Sequence, residues 1–177
     1  DCRPIADSTL YLYRSNMADK AGLKRIRIHD FRHSCASLLI NNGANVTLTS
    51  TTLSEEYLYS ISGSSANGSL VINGDYKLSV ELAGLTLTNP KGPAIDIECS
   101  KRIGVILKDG TINNLSDGTG GTHKGAFYTE GHPEFEGGGT LNVTGKTKHA
   151  ICAEEYLQFK KSTGTINILG AVSDGIH

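Results

Sequence analysis

The sequence predicts a mainly β chain, a parallel β-helix preceded by a short helical segment, and three observations carry that prediction. The first is repetition. GPAIDI at 92–97, GAFYTE at 125–130 and HAICAE at 149–154 are variants of one phrase, and DGIH at 174–177 begins it again. The second is a companion phrase at a similar interval: GTINNL at 110–115, GTLNVT at 139–144 and GTINIL at 164–169, with starts 29 (139−110) and 25 (164−139) positions apart. Self-similarity at roughly 20 to 50 residues marks a stacked-coil architecture in which each repeat buries its apolar face only against its neighbours. The third is period. Apolar residues alternate or come in bursts too short for a helix, as at Ile95 and Ile97, Leu141 and Val143, or Ile166 and Ile168.

Taken in order, the chain changes character near residue 43. Residues 1–42 hold seven of the 17 Lys and Arg (Arg3, Arg14, Lys20, Lys24, Arg25, Arg27 and Arg32). Asp30 is a fair N-cap, Phe31, Cys35, Leu38 and Leu39 follow at helical spacing, and Asn41-Asn42-Gly43 ends the pattern, which predicts one helix near 30–41. From Gly43 the chain reads as strands. NVTLTSTT and EEYLYSISGSS come first, and strands are then expected at 70–73, 78–88, 94–98, 102–107, 111–114, 126–129, 140–143, 150–153 and 165–168. Asn-Gly-Asp, Ala-Gly and Asn-Pro-Lys-Gly turns close the bursts. Ile95, Ile97, Ile112, Leu141, Ile151 and Ile166 are expected to stack in interior columns. The DGIH ending reads as the start of a further rung, so the β-helix is expected to be incomplete at its C-terminus.

Composition narrows the function classes. A formal net charge of −1 argues against a general nucleic-acid binder. Twenty-one glycines, one methionine and no tryptophan suit a turn-rich β protein. There is no apolar run of the roughly 18 residues that a membrane helix needs. Cys2, Cys35, Cys99 and Cys152 lie far apart with no C-x-x-C pair, so zinc is not expected and isolated thiols are favoured over a disulfide.

Two resemblances add to this reading. AGLKRIRIHDFRHSCASLLINNGANV, with His29, Arg32 and His33 in an H-x-x-R-H phrase, resembles the catalytic domain of tyrosine recombinases. In that family the His and Arg contact the scissile phosphate, for which a guanidinium fork is well suited. The family's other Arg, its hairpin Lys, its L-G-H phrase and its nucleophilic Tyr have no counterpart here. Tyr57 and Tyr59 alternate as strand residues, and without a nucleophile covalent strand exchange cannot run. Residues 1–42 therefore read as an inactive recombinase fragment, with at most weak, salt-sensitive DNA affinity through residues 20–33. A recombinase-related DNA-binding protein is the alternative function.

Residues 43–177 resemble a bacterial family of carbohydrate-binding-domain proteins that form a right-handed parallel β-helix. YKLSVELAGLTLTN, GPAIDIECSKRIGVILKDGTINNLSD, GGGTLNVTG with KHAICAEEYLQFKKSTGTINILG, and VSDGIH carry the likeness. The resemblance implies non-catalytic binding of a cellulose- or pectin-like polysaccharide at the cell surface, with calcium held on the helix. Among the seven Tyr and four Phe, Tyr128 and Tyr156 lie beside Glu130, Glu154 and Glu155 and are the candidate stacking platforms, whereas Phe127 and Phe159 read as packing. Asp117 in LSDG and Asp174 in VSDG recur in similar turns and are the candidate calcium ligands, against an Asp-Gly turn role. Asp96, Glu98, Glu130 and Glu154 are expected to form a carboxylate column on one face, better suited to a cation than to acid–base hydrolysis. A third reading is a surface β-helix with no ligand.

Overall fold

In the computed structural model, residues 45–50 and 56–177 are described. The helix expected near 30–41, with His29, Arg32 and the basic cluster around them, lies outside those residues. The described chain is built of strands: β1 (Val46–Ser50), β2 (Tyr57–Ser65), β3 (Leu70–Gly74), β4 (Leu78–Thr88), β5 (Ile95–Glu98), β6 (Arg102–Leu107), β7 (Ile112–Ser116), β8 (Gly125–Thr129), β9 (His132–Glu136), β10 (Thr140–Thr144), β11 (His149–Ala153), β12 (Gln158–Phe159) and β13 (Thr165–Gly170). Every strand pair is parallel. They coil into a β-solenoid of about five turns.

The solenoid has three faces. The first is the five-stranded sheet β1-β3-β5-β8-β11. The other sheet is folded along its length. The start of β4 pairs with β6 while its end pairs with β7, so β4-β6-β9-β12 form a second face and the end of β4 with β7-β10-β13 a third. Gly84 is the corner of β4. Its φ of +88° is a conformation that side-chain-bearing residues avoid, and nothing but this backbone requirement restricts the position.

Alternation along each strand sends every second side chain inward, and the register stacks like on like. On the first face Val46, Leu70, Ile95, Phe127 and Ile151 form one column and Leu48, Ile72, Ile97, Thr129 and Ala153 the next. On the second face Val80, Val105, Phe135 and Phe159 stack, with Phe135 5.7 Å from Phe127 across the interior. Full burial of each such aliphatic or aromatic side chain contributes about 1.5–3 kcal/mol relative to exposure. Phe159 continues an inward column yet is 45% exposed, because it sits on the last rung of that face.

The interior columns hold for Ile95, Ile97, Leu141 and Ile151, all fully buried, and Ile166 packs half-buried against the same core. Ile112 is a correction. It is 61% exposed, and Asn113 takes the inward place, opposite Leu141. The Asn113 Oδ1 accepts from the backbone N–H of Gly84 (2.9 Å) and Leu85 (2.8 Å), and its Nδ2 donates to the Thr140 carbonyl (3.2 Å) and the Thr111 Oγ1 (3.3 Å). With all four of these bonds made, a fully buried amide costs little. The one-residue slip turns Leu115 inward and Asn114 outward.

Candidate functional site on the first face

Outside the first face, the register aligns Asp96, Tyr128 and Cys152 in one column. Glu98, Glu130 and Glu154 follow two positions on in their own rungs. The turn leading into β8 brings His123 to this surface, His149 opens β11, and His177 rises above β11 through the Ile151–Ile176 bridge. Between these groups lies a cavity of about 270 Å³ lined by His123, Tyr128, His149, Cys152, Glu154 and His177, with Thr122, Lys124 and Lys148 at its margins.

The side chains are tied to one another in pairs. His123 Nδ1 sits 2.9–3.0 Å from both oxygens of Asp96, and its ring stacks on Tyr128 at 4.0 Å. Burial pushes the Asp96 carboxyl above its ordinary range; the His123 bond opposes that rise and the nearby Glu98 and Glu130 charges reinforce it. Burial, and then the Glu154 carboxylate that accepts its hydrogen bond, hold the Tyr128 phenol well above the usual range. His149 is 1% exposed and its ring stacks on His177 at 4.3 Å. Burial, with the His177 and Lys148 charges, lowers its pKa. Desolvation likewise raises the Cys152 and Cys99 thiols, both free and buried.

The sequence-derived candidates fare differently. Tyr128 belongs to the site but is only 6% exposed, covered by the His123 ring. Tyr156 lies outside the cavity, 59% exposed and stacked on His132 at 4.6 Å, so of the two it presents the open aromatic surface. Asp117 is buried, and its carboxylate accepts the backbone N–H groups of Lys146 and Thr147 in the next rung. Asp174 is exposed and lies 3.3 Å from His149 Nδ1 and 3.4 Å from His177 Nδ1. The two aspartates are not brought together. Asp117 thus braces the next turn through backbone N–H groups, and Asp174 faces two imidazoles. Sequence reasoning passed over the histidines. Their signal was positional: His123 lies two residues before GAFYTE, His149 opens HAICAE and His177 closes DGIH.

The model of the family described as "Carbohydrate-binding domain-containing protein" matches residues 42–177. The chain belongs to that family. Among solved structures, the polysaccharide lyase-like protein from C. thermocellum, determined as a gadolinium derivative, superposes with a TM-score of 0.59 at 21% sequence identity. The alignment covers 70% of this chain and 51% of that one, so the present chain spans about half the length of that protein. At this identity the likeness is one of fold. A search of curated proteins finds no match. Among the described residues no helix is long and apolar enough to cross a membrane.

Proposed function

We propose that the solenoid of this carbohydrate-binding family member is a non-catalytic module that holds a cellulose- or pectin-like polysaccharide along its first face. The observation that carries the reading is the lined cavity on that face, which is rich in hydrogen-bonding groups. Lys124, Lys148, Thr122 and the imidazoles offer donors and Glu154 an acceptor to sugar hydroxyls or carboxylates, with the exposed Tyr156 ring beyond the cavity for stacking against pyranose C–H groups. Support for a binding rather than a cleaving role comes from the pairing of the carboxylates. Asp96 is held by His123 and Glu154 by Tyr128, and the Tyr128 phenol is too weakly acidic to serve as a base near neutral pH. The recombinase resemblance of residues 1–42 adds no strand-exchange chemistry to this reading, since Tyr57 and Tyr59 are residues of β2.

The test is retention on insoluble cellulose and on pectate, with and without chelator, alongside an assay for unsaturated lyase products. Retention without cleavage is expected. Tyr156→Ala should weaken binding to neutral cellulose by about 1–2 kcal/mol, in the range of aromatic contacts plus the apolar area they bury. Absence of retention on either polymer would leave a structural solenoid, and product formation would make the protein a lyase.

A further inference from the structure

We infer that His149, Asp174 and His177 form a binding site for a divalent transition metal of the zinc type. Three observations converge on it. The donor atoms of these residues all lie within 4.8 Å of one another. His149 Nδ1 and His177 Nδ1 stand 3.3 and 3.4 Å from the same oxygen of Asp174. At metal–ligand distances of about 2.0–2.1 Å, two ligands of a tetrahedral ion sit roughly 3.3 Å apart, so both nitrogen–oxygen spacings fit a shared ion, which the stacked rings would turn to meet. The third observation is burial. His149 is 1% exposed, and its Nδ1 makes no regular hydrogen bond, its neighbour being the Asp174 oxygen at 3.3 Å. A buried nitrogen served by a contact that falls short of a regular hydrogen bond costs free energy, and a metal ion between it and the Asp174 oxygen satisfies both.

The donor chemistry selects the ion. Two imidazole nitrogens and one carboxylate suit zinc, nickel, copper or cobalt, whereas calcium takes six to eight oxygens. Three protein ligands leave a coordination position for water or an external oxygen, and both histidines line the first-face cavity, so that position opens where a ligand can reach it. The second cluster of this kind among the described residues, Asp96, Glu98 and His123, lacks the orphaned donor, because His123 Nδ1 already bonds both Asp96 oxygens.

Calorimetric titration of the full chain with zinc chloride alone, and separately with calcium chloride alone, tests the site without any polysaccharide. Zinc binding is expected, with calcium unable to displace it. His177→Gln and Asp174→Asn change exposed side chains and leave the rungs intact, which circular dichroism checks. Loss of a group that merely hydrogen-bonds a metal ligand costs about 10- to 100-fold in affinity, so loss of a ligand should weaken one zinc equivalent at least tenfold. His149→Gln should abolish that equivalent. Cobalt loaded in its place should show the visible bands of a tetrahedral ion with nitrogen donors, and lose them in the same variants. Zinc affinity unchanged in His177→Gln and Asp174→Asn would overturn the proposal, as would calcium competing on equal terms. Because retention on polysaccharide is measured separately, failure of one reading does not decide the other.

Discussion

Along the third face, Asn114 donates to Thr86 Oγ1 (3.1 Å), Asn142 to Asn114 Oδ1 (2.9 Å) and Asn167 to Asn142 Oδ1 (2.8 Å), a ladder in which each outward amide satisfies the next. Along the first face the equivalent outward column runs Asp96, Tyr128, Cys152, and no side chain matches its neighbour. The spacing differs too. The two amide-to-amide steps of the ladder are 28 and 25 residues, close to constant, whereas the first-face column steps from Asp96 to Tyr128 by 32 and from Tyr128 to Cys152 by 24. The longer step includes the 117–124 turn that delivers His123. A repeating surface spends its polar groups on itself and stiffens the coil. The surface where the repeat is broken leaves mixed acids, imidazoles and a phenol gathered around a cavity. The second face is a further case of self-satisfaction: Arg102 bridges Glu56 (2.6 Å) and Glu134 (3.6 Å), and Lys160 bridges Glu134 and Glu136 (3.2 Å each).

Asn113 is the polar residue that the third face turns inward, and Asn113→Ala strips the backbone N–H groups of Gly84 and Leu85 of their acceptor. The buried Leu85 donor and the partly buried Gly84 donor left unpaired should cost about 2–3 kcal/mol, seen as a fall in the denaturation midpoint with little change in slope. Stability close to that of the parent would mean that the corner at Gly84 is held by something other than this amide.

A smaller effect separates scaffold from site. Asn142 is the middle rung of the outward ladder, bonded on both sides and half-buried. Asn142→Ala should cost roughly 1 kcal/mol, since solvent competes for partly exposed bonds. Polysaccharide retention and zinc binding should be unchanged in the same variant. If either fell, the third face would belong to the functional surface and the division between the faces would fail.

Much of the fold was legible in the residues because a parallel solenoid writes its rungs as repeated strands with period-two alternation. β4 and β6 fall on their expected limits, while β9 and β12 were missed. His132-Pro133-Glu134-Phe135-Glu136 carries a proline and two carboxylates, and only stacking on β6 makes Pro133 and Phe135 an inward pair. The site was less legible for a related reason. Its chemistry depends on which turn residues lean over the neighbouring rung, and sequence spacing does not report that lean. His149 opens a strand and Asp174 lies in a turn 25 residues on, and only the coil places one beside the other. Asp117 shows the converse, a turn residue whose carboxylate reaches across to brace the next turn.

Ile112 carries the smallest expected effect and the sharpest statement about register. Phrase alignment sets Thr-Ile-Asn of 111–113 beside Thr-Leu-Asn of 140–142 and Thr-Ile-Asn of 165–167, which puts Ile112 inside with Leu141 and Ile166. The strand instead pairs Ile112 with Thr140 and Leu115 with Val143. With Ile112 inward, alternation would bury Asn114 and Ser116 and expose Leu115. With Asn113 inward, Leu115 is buried, the inward amide has four hydrogen bonds, and Asn114 joins the outer ladder, so the exposure of one isoleucine is offset threefold. Ile112→Asp should therefore change stability by no more than about 0.5 kcal/mol, as surface substitutions do. Ile97→Asp, which buries a charge in the first-face column, should cost several kcal/mol. Equal losses from the two variants in parallel denaturant titrations would restore the phrase-aligned register and remove the outer ladder at Asn114.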